Sequence, residues 1–234
     1  MKPNQPSLVL FFGTIILTII FEIFFQNRLP IIYLKSMAVP LMFIYFLISN
    51  KYKITWFQAV IFICCFVGDV VIVLNPAYSS LGSMYCFMAV YMLLLVHVLK
   101  NFKRVRVRKI DVVPILIVVS FVVFLLFSIL KMTINDTQTD MFLLYVVYGI
   151  VLCTMSCVCF INHIIRPTAA HLFITLTAIC FILSDMFFVF NEFYHDLLIF
   201  RIIRNSTQSL AYYFMVRYFL LKKKEVKSDD LNHN

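Results

Sequence analysis

The chain alternates between long apolar runs and short polar breaks. Eight runs of helical length can be drawn, at Ser7–Phe25, Ile31–Ser49, Thr55–Leu74, Ser80–Leu99, Val112–Leu130, Met141–Ile161, Ala169–Phe190 and Leu197–Leu221. A helix needs about 20 apolar residues to cross a hydrocarbon core of about 30 Å, and these runs meet that length. Membrane strands would instead alternate over segments of about 10 residues. The breaks carry turn chemistry: Asn27-Arg28-Leu29-Pro30, Asn50-Lys51-Tyr52-Lys53, Asn75-Pro76-Ala77-Tyr78 and Arg166-Pro167-Thr168. Links this short make successive helices antiparallel. Pro40 and Pro114 fall inside runs, where neighbouring helices can support a freed carbonyl. The pattern predicts an all-α polytopic membrane protein. A single eight-helix domain is expected over residues 1–221, followed by a short basic and polar tail at 222–234.

Composition agrees with the pattern. The chain is 63% hydrophobic and 13% charged, against roughly 45–50% and 25% for a soluble domain. The first run lacks a small-residue cleavage site and reads as a retained helix rather than a leader. All seven Cys sit inside apolar runs, where they read as small buried hydrophobes rather than a disulfide framework. Cys153, Cys157 and Cys159 have no His or acid at ligand spacing on their helix, so no metal is expected there, and no other cofactor is called for.

A formal charge of +9 invites a nucleic-acid reading, but the basic residues lie between runs and at the C-terminus. With eight spans, Lys2, Lys51, Lys53, the six basic residues from Lys100 to Lys109, Arg166, Arg217 and the tail lysines share one side. The other side holds only Arg28, Lys35, Lys131, Arg201 and Arg204. Positive loops stay inside, so the expectation is a multi-pass protein of the inner or plasma membrane with both termini cytoplasmic. The expected partner is the lipid bilayer and not nucleic acid. The Lys100–Lys109 loop reads first as a topology anchor and second as a contact for anionic headgroups.

One local sequence occurs twice. Ile63-Cys64-Cys65-Phe66-Val67-Gly68-Asp69 through Asn75 aligns without a gap on Ile179-Cys180-Phe181-Ile182-Leu183-Ser184-Asp185 through Asn191. The acids fall in the third and seventh runs, four spans apart, which makes a 4+4 parallel internal repeat possible. Asp69 is fourteen residues past Thr55 and Asp185 sixteen past Ala169, or roughly 21 and 24 Å from the cytoplasmic ends at ~1.5 Å per residue. Both therefore lie in the outer half at nearly one depth. Glu22, Lys35, Asn75, Asn191, Arg201, Arg204 and Gln208 fall near the same level. A charge at mid-membrane costs on the order of 2.5–3.5 kcal/mol, so several at one depth imply a shared polar cavity. Simpler roles exist for some of them. Arg201 and Arg204 can snorkel, Asn75 and Asn191 can cap helix ends, and the acids can serve as helix-packing hydrogen bonds.

Gly68-Asp69 and Ser184-Asp185 in the third and seventh of eight spans resemble the YhhN family, which includes the lysoplasmalogenases. Lys35-Ser36-Met37-Ala38-Val39-Pro40 is similar to that family's second-span Lys…Pro motif, and Gly82…Phe87 to the start of its fourth-span motif. The family's fourth-span His has no counterpart in Phe87-Met88-Ala89-Val90-Tyr91-Met92, and Tyr212 follows Ala211 where the family's last span has Gln. The resemblance implies hydrolysis of the vinyl ether bond of a lysophospholipid to an aldehyde and a glycerophospho-alcohol. Such chemistry needs an acid to protonate carbon and a base to help water add. Two carboxyls at close range in a low dielectric cannot both ionise, so such a pair could divide the roles. On this reading Asp69 and Asp185 are catalytic. Lys35, Asn75, Asn191, Arg201 and Arg204 are candidates for binding the substrate. The alternative is a non-enzymatic protein, either a proton-coupled transporter or a lipid-binding membrane protein, since buried acids in a parallel repeat also suit proton coupling.

Overall fold

The structure, a computed structural model, describes residues 5–25, 28–74, 79–100, 111–133, 139–193 and 197–232. Among these residues the chain forms eight α-helices: α1 (Gln5–Phe24), α2 (Arg28–Ser49), α3 (Trp56–Leu74), α4 (Ser79–Lys100), α5 (Val112–Thr133), α6 (Thr139–Ile165), α7 (Ala169–Phe193) and α8 (Leu198–Asn232). They match the eight apolar runs, with ends shifted by a few residues. Among the described residues, five segments are long and apolar enough to cross a membrane: Gln5–Phe24, Leu81–Lys100, Val112–Lys131, Phe142–Ile165 and Ala169–Phe193. The apolar stretches of α2 and α3, Tyr33–Ser49 and Trp56–Val71, are shorter. α8 carries Arg201, Arg204 and Arg217 along its length.

Local chemistry sets the helix ends. Thr55 and Gln58 form a reciprocal cap on α3. The Gln58 N–H donates to Thr55 Oγ1 at 3.4 Å, and the Thr55 N–H donates to Gln58 Oε1 at 3.1 Å. Thr168 caps α7 by accepting the His171 N–H at 3.3 Å, just after Pro167 has ended the preceding turn. Between α2 and α3 the backbone turns through left-handed Lys51 (φ 53°) and Tyr52 (φ 57°). Asn50 stabilises this turn by donating from Nδ2 to the Lys53 carbonyl, while its Oδ1 accepts from Lys223 Nζ at 2.6 Å.

Two ends differ from expectation. α2 already begins at Arg28, because Pro30 fits the first turn of a helix, where its missing N–H costs nothing. α8 continues past Leu221, where its apolar run ends, to Asn232, since 222–232 contain neither Gly nor Pro to stop it. Most of the basic loop after Lys100, and the Asn75–Tyr78 link, lie outside the described residues.

α7 packs along α8, α3 along α4 and α1 along α2. α2 meets α3 and α8, while α6 meets α7 and α4, and α5 leans on α6 and α7. The α3–α4 contact depends on two glycines. A Cβ on Gly68 would stand 3.1 Å from Phe87 Cε2 and 3.2 Å from Cys86 Cβ, and one on Gly82 would stand 2.6 Å from Val71 Cγ1. Small residues let helix backbones approach closely where lipid supplies no hydrophobic drive. The core runs through Phe46, Ile61, Val90, Leu94, Ile174 and Met215, all fully buried. At the Lys100 end of α4, His97 stacks on Phe57 and meets Tyr218 and Phe219 edge-on, so it is part of an aromatic cluster.

Candidate functional site

The two repeated acids are each held by two side-chain donors, and three of the four donors come from the other half of the chain. Asp69 on α3 is 2% exposed. Its Oδ2 accepts from Tyr212 Oη at 2.8 Å and its Oδ1 from Gln208 Nε2 at 3.0 Å, both on α8. Gln208 Nε2 also donates to Tyr212 Oη at 3.1 Å, which closes a three-residue network. Asp185 on α7 accepts at Oδ2 from Tyr91 Oη of α4 at 2.8 Å and from Tyr148 Oη of α6 at 2.7 Å. The two tyrosine oxygens are 3.2 Å apart, so the three oxygens form a triangle. A buried carboxyl needs such partners because its desolvation is otherwise uncompensated.

Phe181, one turn before Asp185, lies between the two networks. Its ring centroid is 5.1 Å from that of Tyr91 and 6.4 Å from that of Tyr212. The networks therefore share an aromatic wall and keep separate donors.

Cations complete the site. Lys35 on α2 is within electrostatic reach of Asp69, Glu22, Asp185 and Arg204. Arg204 on α8 is within reach of Asp185, Glu192 and Asp69, and its guanidinium lies 4.4 Å from the centre of the Phe188 ring. Glu22 of α1, 4% exposed, accepts at Oε1 from Asn205 Nδ2 of α8, and its Oε2 has no hydrogen-bond partner among the described residues. Arg201 is half-buried and within electrostatic reach of Glu22. Asn191 is half-buried on α7, and its Oδ1 has no partner among the described residues. Asn75 lies outside the described residues.

The structure thus brings Asp69, Asp185, Lys35 and Arg204 into one electrostatic neighbourhood and adds Glu22 to it. Five donors that directly contact the acids or Glu22 were not assigned roles by sequence: Tyr91, Tyr148, Asn205, Gln208 and Tyr212. Three of these were legible as a pattern, since Arg201, Arg204, Asn205, Gln208 and Tyr212 recur at spacings of three and four on one face of α8. Tyr148 has no such signal. It follows Tyr145 by three residues among apolar neighbours on α6, where a tyrosine is ordinary. The amide expected at position 212 is supplied one turn earlier by Gln208, and Tyr212 adds a hydroxyl to the same carboxylate.

A cavity of about 70 Å³ lies beside Asp185 between α5, α6 and α7. Its walls are apolar except for Asp185, Tyr145, Tyr148 and the Cys153 thiol. Against roughly 10–15 Å³ for one water, it holds a few waters or part of an alkyl chain. A second void of about 10 Å³, near the size of one water, is lined by Thr14, Thr18, Lys35, Asn205, Ser206 and Ser209, with Ile15 and Ile19. Asp185 opens onto the large cavity. Asp69 lines neither void.

The model of the YhhN family matches residues 31–221, which include α2 from Ile31 onward, all of α3 to α7 and the part of α8 that carries Gln208 and Tyr212. No curated protein and no solved structure matches the chain. With both acid motifs, the Lys35…Pro40 stretch and most of its length inside that match, the chain belongs to the YhhN family.

Proposed function

We propose that this protein is an integral membrane hydrolase that cleaves the vinyl ether bond of a lysophospholipid. In this reading all eight helices span the membrane as two parallel four-helix repeats, with the basic loops and both termini cytoplasmic. The crossed pairing of Asp69 with α8 and of Asp185 with α4 supports the repeat, because exchanging the halves maps one pairing onto the other. The contacts of α2 with α8 and of α6 with α4 are related in the same way.

The observation that carries the chemistry is Asp185. It is the carboxyl that opens onto an otherwise largely apolar cavity, and two tyrosine hydroxyls hold it in place. A vinyl ether reacts when an acid delivers a proton to the alkene carbon remote from oxygen. The carbon bonded to oxygen then carries an oxocarbenium charge. Water adds at that carbon, loses a proton to a base, and the resulting hemiacetal breaks to an aldehyde and the glycerophospho-alcohol. Protonated Asp185 is placed to supply the first proton, and its carboxylate then stabilises the cation beside it. The Tyr91–Tyr148–Asp185 triangle lets a proton pass between oxygens with little heavy-atom movement. Asp69 is the second carboxyl, held behind Phe181, and Lys35 and Arg204 supply positive charge for the phosphate.

The test is aldehyde release from a lysoplasmalogen by purified protein and by its Asp185→Asn, Asp69→Asn and Tyr148→Phe variants. Asp185→Asn should abolish turnover, and Tyr148→Phe should lower it by about 10²-fold as the acid loses one of its two donors. Wild-type rates in both Asp variants would remove the assignment.

A further inference from the structure

We infer that the cavity between α5, α6 and α7 takes part of the single alkyl chain of the lysolipid, and that Gly149 and Leu126 set how much of the chain it accepts. The inference names the apolar half of the substrate site and rests on the hydrolase reading for its ligand. Val122, Leu125, Leu126 and Ile129 wall the cavity from one face of α5, at spacings of three and one. The opposite face of that helix is apolar and open, with Leu116, Phe121, Phe124 and Phe127 at 60–67% exposure. α5 therefore stands between the cavity and the bilayer. A chain can pass from lipid to cavity by displacing one helix whose inner and outer faces are both hydrocarbon. The Asp185 carboxyl and the Tyr148 hydroxyl are the polar groups that would meet the bond joining chain to headgroup.

Gly149, next to Tyr148 on α6, fixes the shape of this space. A Cβ there would lie 2.5 Å from Leu126 Cδ1 and 4.0 Å from its Cγ. The Leu126 tip thus rests in a slot that exists because residue 149 has no side chain. That tip is the flexible end of a residue that lines the void, so a methyl group at 149 displaces it, and displacement into the void shortens the space left for a chain. A one-carbon change on the helix backbone is in this way converted into lost cavity length.

The experiment measures binding of non-hydrolysable saturated ether lysophospholipids, differing only in chain length, to the detergent-purified full chain. Gly149→Ala should weaken the longest chains by roughly tenfold relative to the shortest, the discrimination a hydrophobic pocket gives for about one methylene. Leu126→Ala should spare or improve the longest chains. The double variant Gly149→Ala/Leu126→Ala should recover them, because the displaced tip is gone. Equal loss at every length in Gly149→Ala, or no recovery in the double variant, overturns the assignment. If wild-type protein releases no aldehyde from a vinyl ether lysolipid while this length pattern holds, the hydrolase reading fails and the chain site stands.

Discussion

Replacing Tyr212 with Phe removes one oxygen and two hydrogen bonds. That oxygen donates to Asp69 Oδ2 at 2.8 Å and accepts from Gln208 Nε2 at 3.1 Å. Tyr212 is 1% exposed and Asp69 2%, so water does not replace either bond without repacking. A hydrogen bond to a charged group is worth roughly 1.5–3 kcal/mol in soluble proteins, and a neutral one about 1. Interhelical bonds in membranes average about 0.6 kcal/mol with a maximum near 1.7, because the unfolded chain also finds partners in lipid. Gln208 still holds Asp69 Oδ1 at 3.0 Å, so the carboxyl keeps half its support. The balance is a loss of about 2 kcal/mol. It should appear as a shift of the unfolding midpoint when the detergent-solubilised protein is titrated with a denaturing detergent. Measured together with Asp69→Asn, the double variant should lose less than the sum of the singles, with a coupling of about 1 kcal/mol. A loss under about 0.5 kcal/mol for Tyr212→Phe, or strict additivity with Asp69→Asn, would refute the view that this pair ties α3 to α8.

The glycines should separate by their surroundings. Gly68→Ala should cost about 1–3 kcal/mol in the same titration, because Cys86 Cβ at 3.2 Å is fixed to the α4 backbone and cannot swing aside. Gly13→Ala, with nothing within 4 Å of the added carbon, should be neutral or stabilising by up to about 1 kcal/mol. Asn205→Leu removes the donor to Glu22 Oε1 and leaves a carboxyl that is 4% exposed with neither oxygen hydrogen-bonded among the described residues, a cost of about 1–3 kcal/mol. The double variant Glu22→Leu/Asn205→Leu should be more stable than Asn205→Leu alone, since it deletes the stranded group; the two midpoints compare directly.

The sequence by itself determined the all-α class, the positions of the eight helices and the repeated acids within the third and seventh of them. These properties are written in runs of about 20 residues and in charge placement, which the low dielectric of lipid enforces locally on every segment. It also exposed the polar face of α8, because residues three and four apart must share a side of a helix whatever surrounds it. Tertiary structure decided which donor meets which acid. Tyr148 and Tyr91 are ordinary tyrosines in sequence, and they become partners of Asp185 only because α4, α6 and α7 meet at one level. It decided that Gln208 together with Tyr212 serves Asp69, where sequence alone matched Tyr212 against a missing Gln. It also distinguished two acids that their motifs make nearly equivalent, since one lies behind Phe181 and the other opens onto a cavity. A repeat can specify identical local helices. The space beside each depends on which side chains, Gly149 and Leu126 among them, the neighbouring helices bring to it.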